Sequence, residues 1–198
     1  MYTLYEAIDR INKKISANTL YLNKLDAAIG DGDFGSNITN GFQLLMNNAS
    51  SWKDLPLREA MLQCGKLFSF KIGGSSGQLF AISLMRIGDT LSNAKEINNK
   101  SLADALENAK NGIQKLGGAK PGEKTLIDAM IPAYEALRNS TLHHLDFHSA
   151  YEGAKQGAKA TAQMHALRGR ASYLGDRALG HMDAGSNAIV LIFEALLG

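Results

Sequence analysis

Three aspartates, Asp26, Asp31 and Asp33, fall within eight residues of the stretch LDAAIGDGDFGSN, the last two alternating with glycine. Carboxylates this close repel one another unless a cation lies between them. Hard oxygen ligands with no histidine or cysteine nearby suit Mg²⁺. The same residues could equally be turn and capping residues, since aspartate is ordinary in a glycine-rich turn. Magnesium normally takes only one or two carboxylates and lets a polyphosphate and water complete its shell, so the metal reading brings a nucleotide with it.

Phosphates need donors, and other loops offer them. Gly73-Gly74-Ser75-Ser76-Gly77 precedes an apolar helical stretch, so backbone N–H groups and two hydroxyls can point at an anion. Read without a ligand, it is a glycine helix stop followed by a serine cap. Gly169 to Gly175 adds the guanidinium of Arg170, which can face phosphate oxygens. His181-Met182-Asp183-Ala184-Gly185 leads into the last apolar segment. Two spellings mislead. Gly30 to Gly35 matches G-x-G-x-x-G, but LYLNKLDAAI before it has helical spacing and two aspartates would repel a pyrophosphate. In Gly117 to Thr125 a glutamate separates the last glycine from Lys-Thr, so no P-loop forms.

The elements that must hold these loops are helical. Leu4, Ile8, Ile11 and Ile15 recur at helical spacing, and the same period runs through LREAMLQCGKLF, LADALENAKNGIQKL and TLIDAMIPAYEALR. Further helices are expected over about 37–48, 76–92, 148–166 and 185–197, giving about eight. Ser76 and Ser101 are expected N-caps. Asn98, Asn99 and the Asn/Ser stretch over 47–51 are expected linkers. The 198 residues form one all-α domain by this reading. Twenty glycines beside three prolines gather mostly between helices. Gly65, Gly88, Gly112, Gly153 and Gly157 fall inside them, where close helix packing is expected.

A net charge of +2 with dispersed basic residues does not imply nucleic acid. The single cysteine, Cys64, reads as a buried thiol. The first residues lack the continuous apolar stretch of a signal peptide, and Ala188 to Phe193 is too short to span a bilayer, so a soluble cytoplasmic protein is expected. His144 and His148 lack the glutamate of H-E-x-x-H and read as a solvated helix face. His181 reads as a structural hydrogen-bonding residue.

The segments LDAAIGDGDFGSN, KIGGSSGQLF, GGAKPGEKT and GRASYLGDRALGHMDAGSNA, in this order over nearly the whole chain, closely resemble the nucleotide-binding L-subunit family of dihydroxyacetone kinases. The resemblance implies a single-domain barrel of eight antiparallel helices whose loops at one end hold ADP and two Mg²⁺ ions. It places both metals on Asp26, Asp31 and Asp33. It puts nucleotide contacts on Phe34, Gly35, Ser36 and Asn37, and the phosphate loop on Gly74 and Ser75. Gly117 and Leu126 bracket the segment that would wall the nucleotide base. Arg170, Asp183, Ala184 and Gly185 supply the remaining contacts. The family commonly has histidine where this chain has Phe34, which removes one side-chain contact and leaves the aspartates unaffected.

The same resemblance implies a phosphotransferase subunit of the phosphoenolpyruvate–glycerone type. ADP would stay bound as a coenzyme, be converted transiently to ATP by a phosphohistidine carrier M subunit, and pass its γ-phosphate to dihydroxyacetone on a separate K subunit. No nucleophile of this chain is implied, because a loose phosphoryl-transfer transition state needs positioning and charge neutralisation. A homodimer is a compatible assembly. The alternatives are an ATP-dependent ketose kinase that exchanges its nucleotide, a fatty acid kinase domain, and a nucleotide-binding regulator of a transcription factor. GGSSGQLF and GRASYLG point away from the fatty acid kinases.

Overall fold

The computed structural model describes residues 2–197. Among the described residues nine α-helices make up the framework: α1 (Leu4–Ala17), α2 (Thr19–Ile29), α3 (Phe34–Ala49), α4 (Leu57–Lys71), α5 (Gly74–Ser92), α6 (Asn99–Gly117), α7 (Ile127–Asn139), α8 (Phe147–Ala160) and α9 (Ala184–Ala195). Short 3-10 segments cover Ser50–Trp52, Thr161–Gln163 and Arg170–Ala178. There is no strand among the described residues.

Local chemistry sets the boundaries. Thr3 and Glu6 form a reciprocal capping box at the start of α1. Asn98 and Ser101 form another at α6, so Asn98 is the cap, Asn99 the first helical residue, and Ser101 the third-position partner instead of the cap itself. Ser76 is likewise inside the first turn of α5, because extended Gly73 already ends the preceding turn. The Asn/Ser stretch is helical as far as Ala49. Toward the C-terminus, α8 stops at Ala160 and does not continue to 166.

The helices form a closed ring. Helix α1 packs on α3, α3 on α4 and α5, and each later helix on the next until α9 returns to α1. Helices α1 and α2 are one ring position broken at Asn18. Lys14 of α1 reaches Glu194, and Tyr21 of α2 reaches Asn187, so both run antiparallel to α9. The break reconciles nine helices with the expected eight-helix barrel. Helix α9 is apolar almost all round, as a helix buried on both sides must be. Ile189 and Phe193 join the cluster of α6, α7 and α8, while Ala188 and Leu191 join that of α1 to α5. Side chains leave a cavity of about 340 Å³ between the halves, walled by residues such as Ile8, Phe42, Met61 and Met130.

The helical glycines mark close crossings, as expected. A Cβ on Gly65 would lie 2.6 Å from Met85 Cγ, and one on Gly112 would lie 3.0 Å from Ile82. Added at Gly88 it would meet Met61, and at Gly153 the Pro132 carbonyl. At Gly157 it would fall on the carbonyl of Asp128, four residues before Pro132. Proline has no N–H to give that carbonyl, so α8 backbone can settle against the acceptor that α7 leaves open. Cys64 is fully buried, and burial pushes its thiol up to about 12. No helix among the described residues is long and apolar enough to cross a membrane.

Candidate functional site

The up-and-down order brings the connections after α2, α4, α6 and α8 to one end, where α3, α5, α7 and α9 begin. Each of those starts presents amides without helical partners and the positive end of a helix dipole. Phe34, Gly74, Leu126 and Ala184, at or beside the four starts, border one cleft of about 450 Å³, within the range of small-ligand sites.

Asp26, near the end of α2, organises the aspartate turn. Its Oδ2 accepts the N–H groups of Gly32, Asp33 and Phe34 at 2.8, 3.1 and 3.2 Å, leaving Oδ1 for a ligand. The turn brings one carboxylate oxygen each from Asp26, Asp31 and Asp33 within 4.8 Å of one another. This all-oxygen set, open to the cleft, fits a hard divalent cation such as Mg²⁺. Arg170 reaches across and pairs with Asp31.

The start of α5 opens onto the cleft. Gly74 has φ 73°, and a Cβ there would meet nothing within 4 Å, so the turned backbone adjoins open space. The amides of Gly74, Ser75 and Ser76 take no side-chain cap. At α9, the Asp183 carboxylate accepts the Ser186 N–H at 2.5 Å. Burial pushes the Asp183 carboxyl up to about 6, partly opposed by that hydrogen bond.

Most expected site residues share this cleft: the three aspartates, Phe34, Asn37, Gly74, Ser75, Gly117, Leu126, Arg170, Asp183, Ala184 and Gly185 all border it. Gly35 and Ser36 lie behind the wall. Gly35 is pressed on the Thr19 carbonyl, and Ser36 exchanges two hydrogen bonds with Asn23, at 2.9 and 3.0 Å. His181 is exposed and makes no hydrogen bond among the described residues, correcting its reading as a structural bonding residue. His144 lies in the loop before α8, so it shares no helix face with His148.

Lys124, Thr125 and Arg168 also border the cleft, beyond the residues expected there from the sequence. Lys124 is buried and has φ 61°, the only non-glycine positive φ among the described residues. Burial draws its ammonium below the usual lysine range, with Asp183 opposing. The Thr125 hydroxyl is buried without a hydrogen-bond partner. No local pattern marks Lys124, because its partners, the carbonyls of Thr161 and Met164, lie far along the chain.

A ring of eight antiparallel helical positions with carboxylates and helix amides gathered at one mouth defines a helical-barrel domain with cation-favouring and anion-favouring groups side by side in one cleft. The DAK2 domain family model matches residues 28–198, and the chain belongs to that family. It is 31% identical over 193 residues to the ADP-binding subunit DhaL of PEP-dependent dihydroxyacetone kinase from Escherichia coli (strain K12), covering 96% of this chain and 92% of that one. A second relative is the ADP-binding subunit DhaL of PEP-dependent dihydroxyacetone kinase 1 from Listeria innocua, 32% identical over 190 residues with the same coverage. Among solved structures, the dihydroxyacetone kinase of C. freundii in complex with AMP-PNP and Mg²⁺ superposes with a TM-score of 0.76 at 27% identity. That match covers 98% of this chain and 33% of the longer one.

Proposed function

We propose that this chain, as one nucleotide-binding domain, is the ADP-binding phosphotransfer subunit of a cytoplasmic phosphoenolpyruvate-dependent dihydroxyacetone kinase. The observation that carries this reading is the convergence of the aspartate trio with the uncapped start of α5 in one cleft. Full-length similarity to ADP-binding subunits supports it. Bound Mg-ADP would supply a phosphoryl acceptor and then donor, taking phosphate from a phosphohistidine carrier M subunit and giving it to dihydroxyacetone on a K subunit.

The chain's own residues bind and orient. Asp26, Asp31 and Asp33 would hold the metal, with two Mg²⁺ as the proposed complement. Gly74, Ser75 and the first turn of α9 offer amides to phosphate oxygens. The segment bracketed by Gly117 and Leu126 would wall the base, and Asn37 and Phe34 would border the phosphate side. Arg170 provides positive charge where negative charge develops in transfer. An ATP-exchanging ketose kinase is the second reading, favoured by the AMP-PNP complex of the C. freundii enzyme.

Native mass spectrometry of the purified chain separates the two. Retained ADP with Mg²⁺ is the expected result, and a chain that purifies empty and exchanges ATP freely supports the second. Asp31→Ala should release the nucleotide; retention by that variant after chelation refutes the metal-bridged site. With carrier and K subunit added, failure of phosphate to reach dihydroxyacetone despite bound ADP would overturn the kinase assignment and leave a nucleotide-binding regulator.

A further inference from the structure

Glu123 and Lys124, adjacent and opposite in charge, grip the two ends of residues 161–168. The Lys124 ammonium donates to the carbonyls of Thr161 at 2.6 Å and Met164 at 3.3 Å. Thr161 is the C-cap of α8, so the cation also sits on the negative end of that helix. One residue back, the Glu123 carboxylate accepts from Arg168 Nε at 2.7 Å, and the Glu123 carbonyl accepts the Leu167 N–H at 3.3 Å. Arg170 follows two residues later. The returning end of the loop is tied to the same point, because Thr161 Oγ1 accepts the Asp183 N–H at 2.9 Å.

This grip is expensive to hold. Lys124 sits at φ 61°, in the left-handed region where a side chain is strained. Lys124 is 2% exposed, so its ammonium must replace water with protein oxygens. The carboxylate of Asp128 fixes the turn that imposes this conformation, accepting the N–H groups of Gly122 at 2.6 Å and Thr125 at 2.8 Å. What the arrangement achieves is the placement of Arg170, midway along the connection from α8 to α9, and Asp183, at its end, against the cleft.

We propose that Lys124 is a positioning residue for the nucleotide site, acting through Thr161 to set the arm that carries Arg170 and the start of α9. The nucleotide role rests on the proposed function; the mechanical role does not. Hydrogen–deuterium exchange of the full chain without nucleotide tests the latter, and calorimetric titration with Mg-ADP the former. Lys124→Met should raise exchange across 165–178 by about tenfold while α4 and α5 stay protected, and weaken Mg-ADP by at least about tenfold. Lys124→Arg, which keeps a cation on the same carbonyls, should recover most of both.

Wild-type exchange rates over 165–178 in Lys124→Met, or equal loss of protection everywhere, overturn the inference. So does faster exchange with unchanged Mg-ADP affinity. Wild-type protein that binds no Mg-ADP overturns the nucleotide reading instead. If Lys124→Met fails to fold, Arg168→Gln cuts the outer grip at the surface. It should speed exchange at 167–171 alone, and wild-type rates there overturn the grip.

Discussion

The Arg170 guanidinium pairs with the Asp31 carboxylate across the mouth of the cleft, joining the aspartate turn to the loop before α9. Both side chains are substantially exposed, at 63% and 38%, so solvent screens the pair and it adds little to folding. Its value lies in placing a permanent cation beside the residues proposed to hold Mg²⁺. Arg170→Ala should therefore change unfolding free energy by less than about 1 kcal/mol. The same change should slow phosphoryl transfer by about 10²- to 10³-fold. Chemical denaturation and the coupled assay on the same preparation check both halves; a large stability loss with normal turnover would contradict the assignment.

Two glycines at the site separate packing from backbone conformation. At Gly35 a methyl group would fall on the Thr19 carbonyl and crowd Asn23, 2.7 Å from its Oδ1. Gly35→Ala should cost about 1–3 kcal/mol. It should lower the melting temperature by several degrees, at about 2–4 °C per kcal/mol for a chain of this size.

Gly74→Ala meets no neighbour, and its penalty comes from φ 73°. The strain of about 1–2 kcal/mol should be relieved by local rearrangement that turns the α5 amides. Mg-ADP affinity should then fall by more than stability does, as calorimetry beside thermal melting would show.

Asp183 links stability to pH. Its carboxyl titrates near 6 in the folded protein and near 3.8 when unfolded. Between those values the folded state holds more protons, so this group's contribution falls as pH rises from about 4 to 6 and is flat above. Asp183→Asn keeps an oxygen for the Ser186 amide and removes the titration. Relative to wild type, the variant should gain on the order of 2 kcal/mol between pH 4 and pH 7. Urea denaturation at the two pH values measures the difference, and an unchanged gap rejects it.

Helical periodicity alone located almost every helix, because amphipathic spacing follows directly from burying one face. Ring closure was not legible that way. It depends on α9 being buried on both sides, which its continuous apolar run Ala188 to Phe193 only hints at, and the family resemblance supplied the barrel. Boundaries failed where polar side chains choose between roles. Ser101 caps nothing by itself because Asn98 does, and α8 ends at Ala160 although an alanine-rich stretch follows. There Lys124, distant in sequence, takes the Thr161 carbonyl. A lysine at positive φ has no local signature, so the grip around residues 161–168 was hidden, whereas the aspartate spacing disclosed its own turn.

The up-and-down order also divides the molecule into two kinds of connection. Those after α2, α4, α6 and α8 border the cleft, while residues 50–56, 93–98 and 140–146 join helices at the opposite pole. The second set is mechanically remote from any ligand at the mouth. An epitope or fluorophore inserted at 93–98 would report on the barrel without touching the chemistry, and loops exchanged at the mouth would alter ligand preference on an unchanged frame.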